Sequence, residues 1–215
     1  MGLGKAGCNI AKAFSKFPQY QTFGIDTNAA ADITIKAKKS HEEYDSSFPD
    51  LKRKLKFKDE DVLVVLAGAG QISGGSLRLL EQLRRNRLTV LYIEGDLSIM
   101  SEVQKKQEKI VSSVLQEYAR SGVLERIIMV NNAHIERSIG DMSIIGYYDT
   151  LNQAIVNIIH MTNVFKNTKS ISDTFSRNAD SSRISTFGFL NVDTGEEKLF
   201  FPLDNIREKR YYYAI

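Results

Sequence analysis

The sequence holds a single cysteine, three histidines and no long apolar run. One thiol excludes a disulfide framework and a cysteine-rich zinc site. His41, His134 and His160 are scattered without ligand spacing, so no metal cluster is expected. No stretch approaches the roughly 18 to 20 uninterrupted apolar residues of a membrane helix. Met1 runs straight into a glycine-rich segment, where a signal peptide would place a basic and then an apolar region. Neither sign of charge dominates: 29 Lys and Arg stand against 26 Asp and Glu, a formal net charge of +3 spread along most of the chain. That balance implies no nucleic-acid partner, as the hydropathy implies no membrane partner. The 215 residues are 42% hydrophobic, with nine Tyr and eleven Phe, too apolar for disorder and long enough to bury a core. A soluble, cytoplasmic globular protein is expected.

Near-continuous apolar runs at Thr22–Asp26, Val62–Ala67, Thr89–Glu94 and Ile127–Asn131 have the pattern of parallel strands covered on both faces. Helical patterns separate or follow them, at Gly75–Asn86, at Leu97–Ser121 with Val103, Ile110, Val114 and Leu115, and at 144–165 with Leu151, Ile155, Ile158, Ile159 and Val164. Alternating strands and helices predict an α/β fold, a three-layer Rossmann-like, mostly parallel sheet. The charged run Leu51–Asp61 reads as a solvated helix and turn. Asn167–Ser185 is rich in Ser, Asn and Asp, and Thr186–Leu203 alternates around Asp193-Thr194-Gly195, the signature of a β-hairpin. The expected organisation is a main domain over 1–165, ending in the long helix, and a reduced C-terminal segment over 166–215 with a hairpin at 186–203. The aromatic tail Tyr211-Tyr212-Tyr213 is expected to pack on a neighbouring surface or on a partner. A glycine loop such as Gly2–Gly7 normally follows a buried strand, so the central strand is expected to be short or missing.

Gly2-Leu-Gly4-Lys5-Ala-Gly7 fits G-x-G-x-x-G, which allows a tight turn and aims amide N–H groups at an anion beside a helix N-terminus. Asp26 follows about 20 residues on, where a dinucleotide fold places its ribose ligand. Those two features alone favour NAD. A second cluster, Gly68-Ala-Gly70-Gln-Ile-Ser73-Gly74-Gly75-Ser76, follows the strongest strand and opens a helix. Two anion-cradling loops on one sheet edge suit a polyphosphate gripped from both sides. Tyr148 and Asn152 lie four apart and share a helix face. There a flat ring can stack and an amide can pair with a purine edge. Cys8, beside a helix N-terminus, reads as a small packing residue.

Together these motifs resemble the tubulin and FtsZ family of GTP-binding cytoskeletal proteins over residues 1 to 180. Gly2–Asn9 resembles that family's first nucleotide loop, with Asn9 in the place of its usual Asn. Ile25-Asp26-Thr27-Asn28 resembles its second loop, and Gly68–Ser76 its glycine-rich signature, from which Gln71-Ile72 departs. Ser101-Glu102-Val-Gln-Lys105-Lys106 is similar to the stretch where an acid meets the ribose and a base reaches the nucleotide. Met129-Val-Asn131 resembles the strand end whose Asn reads the guanine. The resemblance implies GTP or GDP, with Mg²⁺ held through the phosphates. Gly4, Lys5, Gly7, Cys8, Asn9, Asp26, Asn28, Gly68, Gly70, Ser73, Gly74, Gly75, Ser76, Glu102, Lys106, Asn131, Tyr148 and Asn152 would line the site. It also implies self-association into oligomers or filaments and assembly-dependent GTP hydrolysis. Two stretches compete for the acidic loop of hydrolysis. By distance Ser170–Asp173 fits, with Asp173 as its acid; by letters Asn191-Val-Asp193 and Glu196 fit, in a stretch that ordinary turn chemistry also explains. Lys39–Asp50 lacks the glycine of a γ-phosphate loop and is acidic. About 50 residues follow Phe165, fewer than the family's second domain needs. The alternatives are an NAD(P)-dependent Rossmann oxidoreductase and a non-catalytic assembly protein that kept the fold.

Overall fold

In the computed structural model, which describes residues 1–140, 145–168 and 182–212, the apolar runs build one parallel sheet. Its strands are β1 (Gly2–Leu3), β2 (Gly24–Asp26), β3 (Ile33–Thr34), β4 (Asp61–Ala67), β5 (Arg87–Glu94), β6 (Arg126–Asn131) and β7 (Ile184–Ser185). They lie in the order β3-β2-β1-β4-β5-β6-β7, every pairing parallel. The helices are α1 (Gly4–Phe14), α2 (His41–Ser46), a 3-10 turn (Gln71–Gly75) running into α3 (Ser76–Gln82), α4 (Glu102–Arg120), α5 (Asn132–Ile139) and α6 (Tyr147–Asn167).

Successive strand residues point to opposite faces, and both faces are covered, which is why the strands read as unbroken apolar runs. Val64, Leu66, Val90, Tyr92, Ile127 and Met129 meet Leu79 and Leu80 of α3 and Val111 and Leu115 of α4. On the other face Val65, Leu91, Ile93, Ile128 and Val130 meet Ile10 and Phe14 of α1, Ile135 of α5, and Leu151, Ile155 and Ile159 of α6. The three-layer α/β architecture is therefore the observed one. A fully buried leucine such as Leu91 contributes about 1.5–3 kcal/mol over exposure.

The strand order reverses between β1 and β4. The chain works outward from β1 through β2 to β3, then returns to β4 and proceeds the other way. Such a switch point opens a crevice at the carboxyl ends of the strands. The central strand exists, in two residues: Gly2 pairs with Gly24 and Val65, and Leu3 with Ile25 and Leu66. Met1 continues the ladder, its ammonium donating to the Leu63 carbonyl at 2.7 Å and its carbonyl accepting from the Val65 N–H at 2.8 Å. Burial pushes that ammonium down to about 6.

Several boundaries differ from the sequence pattern. The segment 97–101 is a turn before α4, because Ser101 is the N-cap of a complete capping box with Gln104. The buried face of α4 is Glu108, Val111, Leu115 and Ala119, so Val103 and Ile110 are exposed. The helix expected at Gly75–Asn86 opens as a 3-10 turn and ends at Gln82. Leu51–Asp61 holds a turn and no helix; it buries Leu51 and Leu55 and leaves its lysines in water. The acidic stretch Lys39–Asp50 contains α2, capped by Ser40.

The hairpin is present as β8 (Gly188–Leu190) and β9 (Glu197–Leu199), paired antiparallel. Its turn is shaped by Asn191, whose Oδ1 accepts from Asp193 and Thr194 N–H, and by Gly195 at φ +71°. Asn191–Glu196 is thus turn chemistry. Phe200, just beyond, is fully buried in the core shared with α1, α5 and α6. Of the aromatic tail, Tyr212 lies 5.1 Å from the Phe165 ring and Tyr211 donates to Glu197.

Candidate functional site

The two glycine loops leave adjacent strands of the switch point and touch. Gly4 opens α1 at φ +73°, in the left-handed region that penalises a side chain. A Cβ at Gly4 would lie 2.6 Å from Cγ2 of Ile72 in the second loop. Gly2 and Gly7 let α1 press onto the sheet: a Cβ on Gly7 would meet the Val65 carbonyl oxygen at 2.5 Å, and one on Gly2 the Gly7 carbonyl oxygen at 2.1 Å. The first N–H groups of α1 have no carbonyl within their own helix, and the helix dipole adds positive potential at the same point. Lys5 and Asn9 are exposed, one turn apart on α1.

The second loop is mostly closed from behind. Ser73 is 1% exposed, and its Oγ lies 2.6 and 3.0 Å from the Gly70 and Gly68 carbonyl oxygens and 3.3 Å from His41 Nε2. A Cβ on Gly74 would meet the His41 carbonyl oxygen at 2.1 Å, and one on Gly75 the Phe48 ring at 2.2 Å. Arg78 of α3 reaches Asp45 of α2 at 3.0 Å. The segment α2 to Phe48 therefore covers Ser73, Gly74 and Gly75. Ser76 is also buried, its Oγ without a hydrogen-bond partner among the described residues. Gly68 spends its N–H on the Ile93 carbonyl and its carbonyl on Ser73. The part of the loop left open is Ala69–Ile72, where Gln71 is exposed and its neighbours are half-buried. There the leading N–H groups of the 3-10 turn, from Gln71 and Ile72, have no carbonyl in their own turn.

The remaining predicted residues distribute around this rim. Asp26 ends β2, its Oδ1 accepting from the Thr27 N–H at 2.7 Å. Asn28 is exposed and shapes a turn through the Ala30 N–H. Cys8 turns inward, its Sγ at 3.7 and 3.6 Å from the Gly2 and Ile25 carbonyl oxygens. Burial, and then the Asp26 charge, push its thiol up to about 11, so it is packing and not a nucleophile. Asn131 ends β6 with both ends of its amide in use: Oδ1 caps α5 through Ala133 and His134, and Nδ2 donates to Glu94 at 2.8 Å. Glu102 opens α4 on the opposite face of the sheet from α1, paired with Lys105 at 2.8 Å, while Lys106 is exposed.

α6 packs beside α1 in one core. Phe17, just past α1, stacks on His160 at 3.7 Å, and Tyr20 lies 3.0 Å from the same imidazole. Tyr148, in the first turn of α6, is 66% exposed and edge-on to Tyr147, and Asn152 is half-buried one turn on. Asp173 lies outside the described residues.

Three features of the rim carry no motif: Ile72 against Gly4, His41 on Ser73, and Glu108 beneath Gly68. Only Glu108 left a trace in the sequence, as a lone carboxylate in register with Val111, Leu115 and Ala119. Two cavities, of about 1080 and 780 Å³, lie elsewhere. One is bounded by the hairpin and tail, the other by Met1, Tyr20 and His160 at the amino ends of the strands, and neither is lined by a glycine loop.

No protein-family model and no curated protein matches this chain. Solved structures do. CetZ from Methanosaeta thermophila strain DSM 6194 is 16% identical with a TM-score of 0.60, over 80% of this chain and 55% of that one. CetZ2 from Haloferax volcanii, a GTPγS-bound protofilament, is 18% identical with a TM-score of 0.59, over 80% and 59%. An empty FtsZ dimer from M. jannaschii is 12% identical with a TM-score of 0.61, over 80% and 55%. The fold is therefore tubulin/FtsZ-like, and the chain spans a little over half the length of those structures.

Proposed function

We propose that this chain binds a guanine nucleotide in the crevice between β1 and β4. The observation that carries the reading is the adjacency of two glycine loops at a switch point. The α1 N-terminus and the leading N–H groups at Gln71 and Ile72 would hold the phosphates. Tyr148 would stack on the base, with Asn152 beside it. Mg²⁺ would arrive with the phosphates and be bound mostly by them and by water. The likeness to a GTPγS-bound protofilament and to a dimer supports self-association as part of the same reading. Asn131 is committed to α5 and Glu94, so base recognition would rest more heavily on α6.

The test is thermal unfolding of the full chain with GTP, GDP, their Mg²⁺ complexes and NAD. Guanine nucleotide at 100 times its Kd should add about 2.7 kcal/mol. Unchanged melting with all guanine ligands would overturn the reading, and a shift with NAD alone would move it to a Rossmann oxidoreductase with Asp26 on the ribose. A second reading, an assembly protein that kept the fold and lost turnover, is favoured by Ile72 lying over Gly4 and by α2 covering the second loop. Phosphate release that rises with light scattering on adding GTP would sink it.

A further inference from the structure

Beneath the second glycine loop lies a carboxyl group that none of the motifs explains. Glu108 projects from the apolar face of α4 and is 3% exposed. Its Oε1 accepts from the Tyr92 hydroxyl at 2.7 Å, while Oε2 is buried without a hydrogen-bond partner among the described residues. Both oxygens press against Gly68: a Cβ there would lie 2.3 and 2.4 Å from them and 1.9 Å from the Tyr92 hydroxyl. Gly68 is the residue from which the loop departs. A buried carboxylate with one orphan oxygen is costly as an anion and tolerable as a neutral acid.

We propose that Glu108 is a positioning residue which takes up a proton when an anion occupies the loop above it, so that phosphate binding at this site is coupled to pH. The proposal rests on the nucleotide reading and adds its regulation. A phosphate over Ala69–Ile72 and an ionised Glu108 under Gly68 would be like charges separated by one layer of backbone, in surroundings that screen poorly. The neutral acid removes that repulsion and keeps the Tyr92 contact that sets the loop's height.

The surrounding groups agree. The loop Gly68–Ser76 contains no titratable side chain. From β5 come Tyr92 and Glu94; from the α2 side, His41 rests on Ser73. On α4 itself Lys105 is paired with Glu102 and Lys109 is exposed. Burial is the largest influence on Glu108 and raises its proton affinity; the hydrogen bonds from Tyr92 and the Gly95 backbone oppose it, and the Glu94 charge adds a smaller push upward. With a folded pKa above the unfolded one, Glu108 supports the native state at acid pH and loses that contribution as pH rises through the folded value.

The experiment is titration calorimetry of the full chain with GDP and with inorganic pyrophosphate, from pH 5 to 8, in buffers of different ionisation heat. Because both ligands titrate in this range themselves, the readout is the difference between proteins: wild type should take up more protons on binding than Glu108→Gln, which should bind equally well at pH 5 and about tenfold tighter at pH 8, the equivalent of one unit of coupling. Identical proton linkage in both proteins would overturn the proposal while leaving the nucleotide reading standing. Absence of any binding heat from either protein would overturn the reading itself, and the proposal with it. Tyr92→Phe serves as the second variant, because removing the hydroxyl makes the anion still less favourable. Its window of proton uptake should move to higher pH, and an unmoved window would count against Glu108.

Discussion

The two glycine loops look alike in sequence and differ in what their glycines do. In the first, Gly4 is demanded by backbone conformation, and Gly2 and Gly7 by the approach of α1 to the sheet, so the loop's outer side is left to α1's free N–H groups. In the second, Gly68, Gly74 and Gly75 are demanded by neighbours behind the loop: the Glu108–Tyr92 pair, the His41 backbone and the Phe48 ring. A glycine count therefore overstates the second cradle. Four glycines suggested a phosphate-binding loop, whereas most of them let protein pack on protein. The part left to a ligand is the short stretch that ends at Ile72.

This contrast can be broken most forcefully at Gly74. A Cβ there meets a backbone oxygen, which cannot swing aside, so Gly74→Ala should destabilise the fold by about 3 kcal/mol in urea unfolding. A loss under about 1 kcal/mol would show that α2 does not close the loop and would return Gly74 to the ligand. At Gly4 the obstacle is a flexible side-chain end plus a positive φ, and Gly4→Ala should cost about 1–2 kcal/mol. Combining it with Ile72→Ala should recover part of that loss, and a double-mutant cycle without coupling would separate the two loops. The smallest effect on stability belongs to Tyr148. Tyr148→Ala should change unfolding by less than about 0.5 kcal/mol yet weaken guanine nucleotide binding by about 1–3 kcal/mol, the worth of one base stacked on an aromatic ring. Equal affinity in wild type and variant would remove α6 from the site.

The sheet was legible because a parallel strand buried on both faces leaves an unbroken apolar run, as at Val62–Ala67 and Thr89–Glu94. The strands that escaped notice, Gly2–Leu3, Ile33–Thr34 and Ile184–Ser185, are too short to show any period. α2 and α5 escaped because six and eight residues cannot display a helical repeat. In the candidate site Gly4 and Asp26 were singled out by their spacing, and Tyr148 with Asn152 by helical register; their roles toward a ligand are part of the proposal. Asn131 was misleading: the amide expected to read a base is the cap of the helix that follows it. A cap and a ligand-reading group use the same side chain at the same strand end, and only coordinates separate them.

The sequence by itself determined the layering, the positions of the longer strands and the hairpin turn, since burial on one face or two and the chemistry of Asn191 and Gly195 are local properties. Only the tertiary structure decided which glycines serve packing, that Cys8 turns inward, and that Glu108 lies under the loop. Each of these depends on residues tens of positions away meeting in space. Contact across that separation leaves no periodic mark on the chain.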